Sequence, residues 1–286
     1  MIILIGAIII FASVLGGFTI SGGSVASLIH PSELLVIGGA AFGAMVIMAP
    51  KAVLIDLFKN AFGALKGIPY SQQSYKDLFL AMYELFMVGR KNGMIALEEH
   101  VNEPENSPIF SKYPSFVGNK EAMDFLCEGL RPVIDGRVKA EQLHSLFEVQ
   151  LDKMEVEGHE PVDVLTKVGD ALPGFGIVAA VLGIVITMGA ISGPIEEIGH
   201  KVGTALVGTF LGIFMAYGFV NPLAMNMTFL HKSTLDFLRC ISSAVVSFTT
   251  GMAPAMAIEI SRRRVASSLR PSSDEMEQLM KSIKPG

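Results

Sequence analysis

Four stretches of this chain contain no Lys, Arg, Asp or Glu, and they limit what it can fold into more than any other feature: residues 1–31, 34–50, 171–195 and 202–230. A helix needs ~20 apolar residues to cross ~30 Å of hydrocarbon, and each run reaches or approaches that length. The 34–50 run is the shortest and spans with little tilt. Charged residues make up 17% of the 286, against ~25% in an ordinary soluble domain, and the deficit falls in these runs. The first run has no basic residue ahead of Ile2 and continues past any plausible cleavage site. It therefore reads as a retained span rather than a signal peptide.

The expected fold is all-α: a polytopic membrane protein with four transmembrane helices, at 2–21, 34–51, 172–192 and 202–222, and a helical cytoplasmic domain. The division is 1–51 for the first helix pair and its short periplasmic loop, 52–171 for a large cytoplasmic loop, 172–222 for the second pair, and 223–286 for a cytoplasmic tail. Orientation follows from the cations, which are enriched on cytoplasmic segments close to helix ends. Lys51, Lys59 and Lys66 follow the second run, Lys153 and Lys167 precede the third, and Lys232 and Arg239 follow the fourth. Both termini and the large loop are thereby assigned to the cytoplasm.

Within the large loop, Ser74-Tyr75-Lys76-Asp77 has capping-box spacing and opens an apolar stretch over 78–88. Gly89 and Gly93 are expected to break it before helix resumes over 94–101. Pro104, Pro108 and Pro114 mark a loop, Asn119 is placed to cap the next helix, and Asp135-Gly136 makes a turn before a helix over 139–157. The apolar stretch 237–260 follows a charged segment and is expected to pack on the loop domain rather than form a fifth span. Ser273 is placed to cap a last polar helix over 274–282.

The net charge of −5 disfavours nucleic acid as a partner. Cys127 and Cys240, on the cytoplasmic side, read as reduced structural thiols. No catalytic constellation, cofactor-binding motif or metal spacing is present, and the six histidines lie apart from one another, outside the spans. The chain is accordingly not expected to be an enzyme. Glu196 and Glu197 beside Pro194 make the outer loop negative, as an ordinary solvated loop or as a mouth that attracts cations.

The third and fourth helices carry the informative residues. Gly208, Gly212 and Ala216 recur every four residues, making a flat face that lets another helix approach closely; Gly183 and Gly189 thin the third helix. Thr187, Thr204 and Thr209 are hydroxyls in apolar surroundings, where such groups ordinarily bond a carbonyl one turn back. Pro173 and Pro222 bracket the pair, and each removes a helical hydrogen bond, releasing the carbonyls of Gly169 and Gly218. The two prolines serve either as helix punctuation or as hinges beside a wet vestibule. The runs themselves hold no carboxylate or amine, so a proton crossing here needs a titrating group from a partner.

The segment Ala205-Leu206-Val207-Gly208-Thr209-Phe210-Leu211-Gly212-Ile213-Phe214, with Pro222 after seven more residues, resembles the signature of the MotA branch of the MotA/TolQ/ExbB proton-channel family. Pro173-Gly174-Phe175-Gly176 is similar to that family's other landmark, and the four-span layout matches over essentially the whole chain. The resemblance implies a flagellar stator subunit, five copies in a ring around two copies of MotB, a single-span, peptidoglycan-binding subunit whose aspartate carries the ion. It implies that Thr209 and Ala180 lie near the ion path and that Pro173 and Pro222 couple ion passage to movement. Arg90 and Glu98 would meet the rotor protein FliG; by the residues alone they read as a helix-end cation and a solvated acid. Sodium-driven relatives carry threonine where this chain has Ala180, so the transported ion is expected to be H+ rather than Na+. The rival within the family is a TolQ/ExbB-type energy transducer, typically with three spans and an external N-terminus. A solute carrier or membrane enzyme is a rival from another class, but no inverted repeat or midplane solute site is visible.

Overall fold

The computed structural model describes residues 2–189 and 194–283. Among these the chain is helical, with no strand. The helices are α1 (Ile2–Ile20), α2 (Pro31–Met48), α3 (Lys51–Lys66), α4 (Gln72–Asn92), α5 (Glu98–Asn102), α6 (Pro114–Val117), α7 (Lys120–Ile134), α8 (Ala140–Met188), α9 (Ile195–Met215), α10 (Asn221–Thr249), α11 (Pro254–Arg262) and α12 (Ser273–Ser282). They form two compact units, one comprising the chain up to Gly67 together with Glu157–Leu230, the other Ile68–Val156 and the chain from His231 onward. By packing the chain divides at 67/68, 156/157 and 230/231.

The first unit carries the membrane helices. By length and composition four helical stretches can cross a bilayer: Ile2–Ile20, Val25–Met48, Ala140–Met188 and Ile195–Thr249. In α2, Ile37, Ala41 and Met45 recur every four residues and are buried together with Leu57 and Ala64 of α3 and Leu172 and Ala179 of α8. By contrast α1 buries none of its residues. Phe11 anchors it by ring contacts, with centroids 5.5 Å from Phe214 and 5.0 Å from Phe219.

Several local expectations are corrected. Pro173 does not open a helix: α8 runs continuously through both Pro161 and Pro173. Proline is tolerated inside a membrane helix when its neighbours compensate the lost bond. The expected helix end at residue 192 lies outside the described residues. Nor does Pro222 stop the fourth helix. Residues Ala216–Val220 wind as a π-turn, with the Asn221 N–H bonded to the Ala216 carbonyl, and α10 continues directly. The wider turn makes room for a ring that would otherwise strike the Gly218 carbonyl.

The α3 helix was not anticipated as an element of its own. It begins two residues past α2, with Pro50 as its N-cap, and packs in the first unit, where a Cβ added to Gly63 would lie 3.4 Å from Leu230. The capping box of α4 is Ser71 with Ser74, three residues earlier than expected. Gly89 remains inside that helix, and the chain turns only at Gly93, whose φ of 88° is open to glycine.

The second unit is built around α4, which buries most of its circumference. Phe86 stacks on Phe248 with centroids 4.3 Å apart, and Phe125 meets Phe147 at 5.0 Å. The buried Glu84 accepts from Lys112 at 2.8 Å, and the buried Ser261 hydroxyl donates to the Cys240 carbonyl at 2.6 Å. Cys127 and Cys240 are buried and free. Burial raises the Cys127 thiol to about 12, which keeps it protonated at neutral pH. The Asn119 cap, donating partner Ala122, and the Gly136 turn form as expected. The tail stretch does pack in this unit, through Phe237, Leu238 and Ile241. It is broken at Gly251, φ 97°, and restarts at Pro254. The last helix is capped by Ser272 rather than Ser273.

Candidate functional site

Helices α8 and α9 lie against each other backbone to backbone. A Cβ added to Gly176 would sit 2.8 Å from the Gly208 carbonyl oxygen and 3.2 Å from the Cα atoms of Gly212 and Thr209. One added to Gly212 would sit 2.6 Å from the Leu172 carbonyl, and one at Gly183 would sit 2.8 Å from the Ala205 Cβ. The order of these contacts makes the pair antiparallel. The small-residue face expected on α9 is therefore in use, and Gly176 and Gly183 form its counterpart on α8. Close approach of this kind is what small residues permit in lipid, where packing rather than water exclusion holds helices together.

Thr209 sits at the centre of this seam, half-buried beside Gly176. Thr187 and Thr204 bond back to the Gly183 and His200 carbonyls at 2.8 and 3.0 Å. The Thr209 hydroxyl makes no hydrogen bond among the described residues. It alone of the three has both its donor and its acceptors unspent. Ala180 is buried, and its amide nitrogen lies 3.3 Å from the position of a Cβ on Gly208. Thr209 and Ala180 are thus brought to the same stretch of the seam.

The turns that carry the two prolines also meet, at Gly169 and at Asn221, a residue that the sequence did not single out. Pro173 deprives the Gly169 carbonyl of its helical donor. The side chain of Asn221, the residue before Pro222, rests on Gly169 so tightly that a Cβ there would overlap it. The Asn221 Oδ1 is buried and without a hydrogen-bond partner. A second omission is Glu33, which was placed outside the spans. It lies in the first turn of α2, only 6% exposed, with its carboxylate accepting from Ser32 at 2.7 Å. Helix N-termini favour negative charge, which accounts for an acid there. Likewise Glu196 and Glu197 belong to the first turn of α9, and Glu197 pairs with Lys201 at 2.8 Å.

Arg90 lies in the last turn of α4 and Glu98 in the first turn of α5, on either side of the Gly93 corner. Both are exposed, and neither enters an ion pair or hydrogen bond among the described residues. Each has the sign its helix end favours. The corner is held from beneath, since Gly89 packs on Leu97 and Phe248 with no room for a larger residue: an added Cβ would meet them at 3.1 and 3.0 Å. No cluster of His, Cys, Asp or Glu with metal-binding geometry occurs among the described residues. His100 is half-buried and bonded to Ser107 at 2.9 Å, and its burial lowers its pKa.

A glycine-locked helix pair in a unit with four helical stretches able to cross a bilayer defines a polytopic helical membrane protein. The chain belongs to the MotA/TolQ/ExbB proton channel family, whose model matches residues 118–235, while the motility protein A N-terminal model matches residues 4–93. It is 35% identical to motility protein A of Salmonella typhimurium and to that of Escherichia coli, each over 99% of this chain and 96% of the relative. It is 32% identical to chemotaxis protein LafT of Vibrio parahaemolyticus over 96% of both chains. The fold matches a C. jejuni MotAB structure with a TM-score of 0.78 at 22% identity, covering 95% of this chain and 98% of the other. It also matches the flagellar MotAB stator complex of Bacillus subtilis with a TM-score of 0.75 at 23% identity, covering 96% and 98%.

Proposed function

We propose that this chain is the ion-conducting stator subunit of a bacterial flagellar motor, and that it works only with a single-span MotB-type partner. The observation that carries this reading is the α8–α9 seam. It is held glycine against glycine, exposes the unbonded Thr209 hydroxyl, and lies in apolar runs without a carboxylate, amine or imidazole from 171 to 188 or from 202 to 230. An ion path needs a group that binds and releases the ion at membrane depth. A partner's aspartate supplies it, and Thr209 offers that helix a donor and acceptor.

In this reading the spans lie in the inner membrane, the second unit is cytoplasmic, and five copies ring two partner helices. Protons are the transported ion, because Ala180 offers no oxygen to replace the water that Na+ must shed. Arg90 and Glu98 meet opposite charges on the rotor protein FliG. Exposed ion pairs contribute only ~0.2–1 kcal/mol each, so such contacts can break and re-form at each step. The drive is larger: one charge crossing 100 mV releases ~2.3 kcal/mol.

Vesicles containing the chain with a MotB-type partner test the reading. Under an imposed potential, proton uptake is expected to require both subunits and the partner's membrane aspartate. Equal uptake by this chain alone would overturn it.

A further inference from the structure

The seam between the two proline-bearing helices brings a buried acceptor with no donor against a turn whose carbonyl has lost its helical donor to proline. Asn221 Oδ1 is buried, lacks a partner, and lies directly on Gly169. The Gly169 carbonyl has lost its helical N–H to Pro173. Leaving buried acceptors unmade at membrane depth is costly, so the arrangement calls for a donor in at least one state of the machine. Asn221 can provide it itself. A carboxamide has an oxygen at one end and an NH2 at the other, and turning it over presents its N–H groups to Gly169.

The position of Asn221 gives this turn-over a mechanical reach. The residue closes the Ala216–Val220 π-turn, donating its backbone N–H to Ala216, and is followed at once by Pro222. Its side chain touches α8 four residues before Pro173. One side chain therefore bridges the irregular turn of one helix and the weakened turn of the other. Neither turn has a full set of helical hydrogen bonds, so both bend more readily than the helix around them. A glycine at 169 is required for the bridge, because any Cβ there would displace the amide.

We propose that Asn221 is a positioning residue, a polar latch whose amide engages the Gly169 carbonyl in one of two states and so couples the bend at Pro173 to the bend at Pro222. The inference rests on the stator reading and deepens it by naming the contact through which ion passage moves both helices together.

The test uses the full chain co-expressed with its MotB-type partner in cells lacking their own stators. Asn221→Ala is expected to keep normal amounts of complex in the membrane and to keep proton uptake in vesicles. Its rotation under load should fall by roughly fivefold, the scale of one net hydrogen bond. Asn221→Ser, which retains a short donor, should recover part of the loss. Gly169→Ala should clash with Asn221 and lower the amount of complex. The double variant Gly169→Ala/Asn221→Ala fills the same space without polarity, so it should restore the complex but not rotation. Wild-type rotation by the double variant would show that the contact is packing alone and overturn the latch. Loss of the complex in both Asn221→Ala and Asn221→Ser would overturn it as well. Failure of the unmodified pair to rotate at all is a different result; it removes the stator reading and the latch falls with it.

Discussion

Gly176 and Gly208 meet so closely that a single methyl group on Gly176 would lie 2.8 Å from the Gly208 carbonyl oxygen. Backbone cannot give way as a flexible side chain can. Overpacking of this kind typically costs ~1–3 kcal/mol, and here it would push apart the two helices that frame Thr209. Gly176→Ala is therefore expected to lower the thermal stability of the purified complex by roughly that amount and to slow rotation. Gly174→Ala, two residues away with nothing within 4 Å of the added carbon, serves as the control and should behave as wild type. Equal loss in both variants would contradict the seam.

Arg90 and Glu98 carry charges that nothing in the described chain neutralises. Arg90→Glu should reduce torque while the protein stays in the membrane at its normal level, because no packing is lost. The effect should be greater at high load and should be relieved by the opposite charge change on the rotor partner. Full motility of the Arg90→Glu/Glu98→Lys double variant would remove the corner from the account.

Cys127 and Cys240 are buried and free, and burial raises the Cys127 thiol to about 12. At pH 8 that thiol is protonated and shielded, and only the thiolate reacts readily. Iodoacetamide should leave both cysteines unlabelled in the folded protein and label them on denaturation. Rapid labelling of Cys127 in the folded state would show that the second unit is packed differently.

The chemistry of single residues read well where one physical term dominates. Charge-free runs located all four membrane helices, since no charged side chain is tolerated at membrane depth without a partner. Asn119 and Gly136 were legible as a cap and a turn because each acts within three residues of itself. The helix ends set at the two prolines were wrong for the opposite reason. A local rule makes Pro173 a helix start and Pro222 a stop, whereas tertiary contacts and a π-turn carry the helices through both. The α4 box was displaced because Ser74 fills the role usually taken by an acid. Asn221 was missed altogether. An Asn before Pro reads as a turn signal, and its meaning here depends on Gly169, far away in sequence.

The central claim is that this chain, with a partner carboxylate, converts proton flow into rotation. The most direct measurement is the rotation speed of tethered cells that lack their own stators and express this chain with a MotB-type partner. It is taken against external sodium at fixed pH, and again as the proton gradient is collapsed. The account predicts rotation that is indifferent to sodium and stops with the proton gradient. Rotation that requires sodium would contradict the proton assignment, and absence of rotation with both subunits present in the membrane would contradict the claim itself.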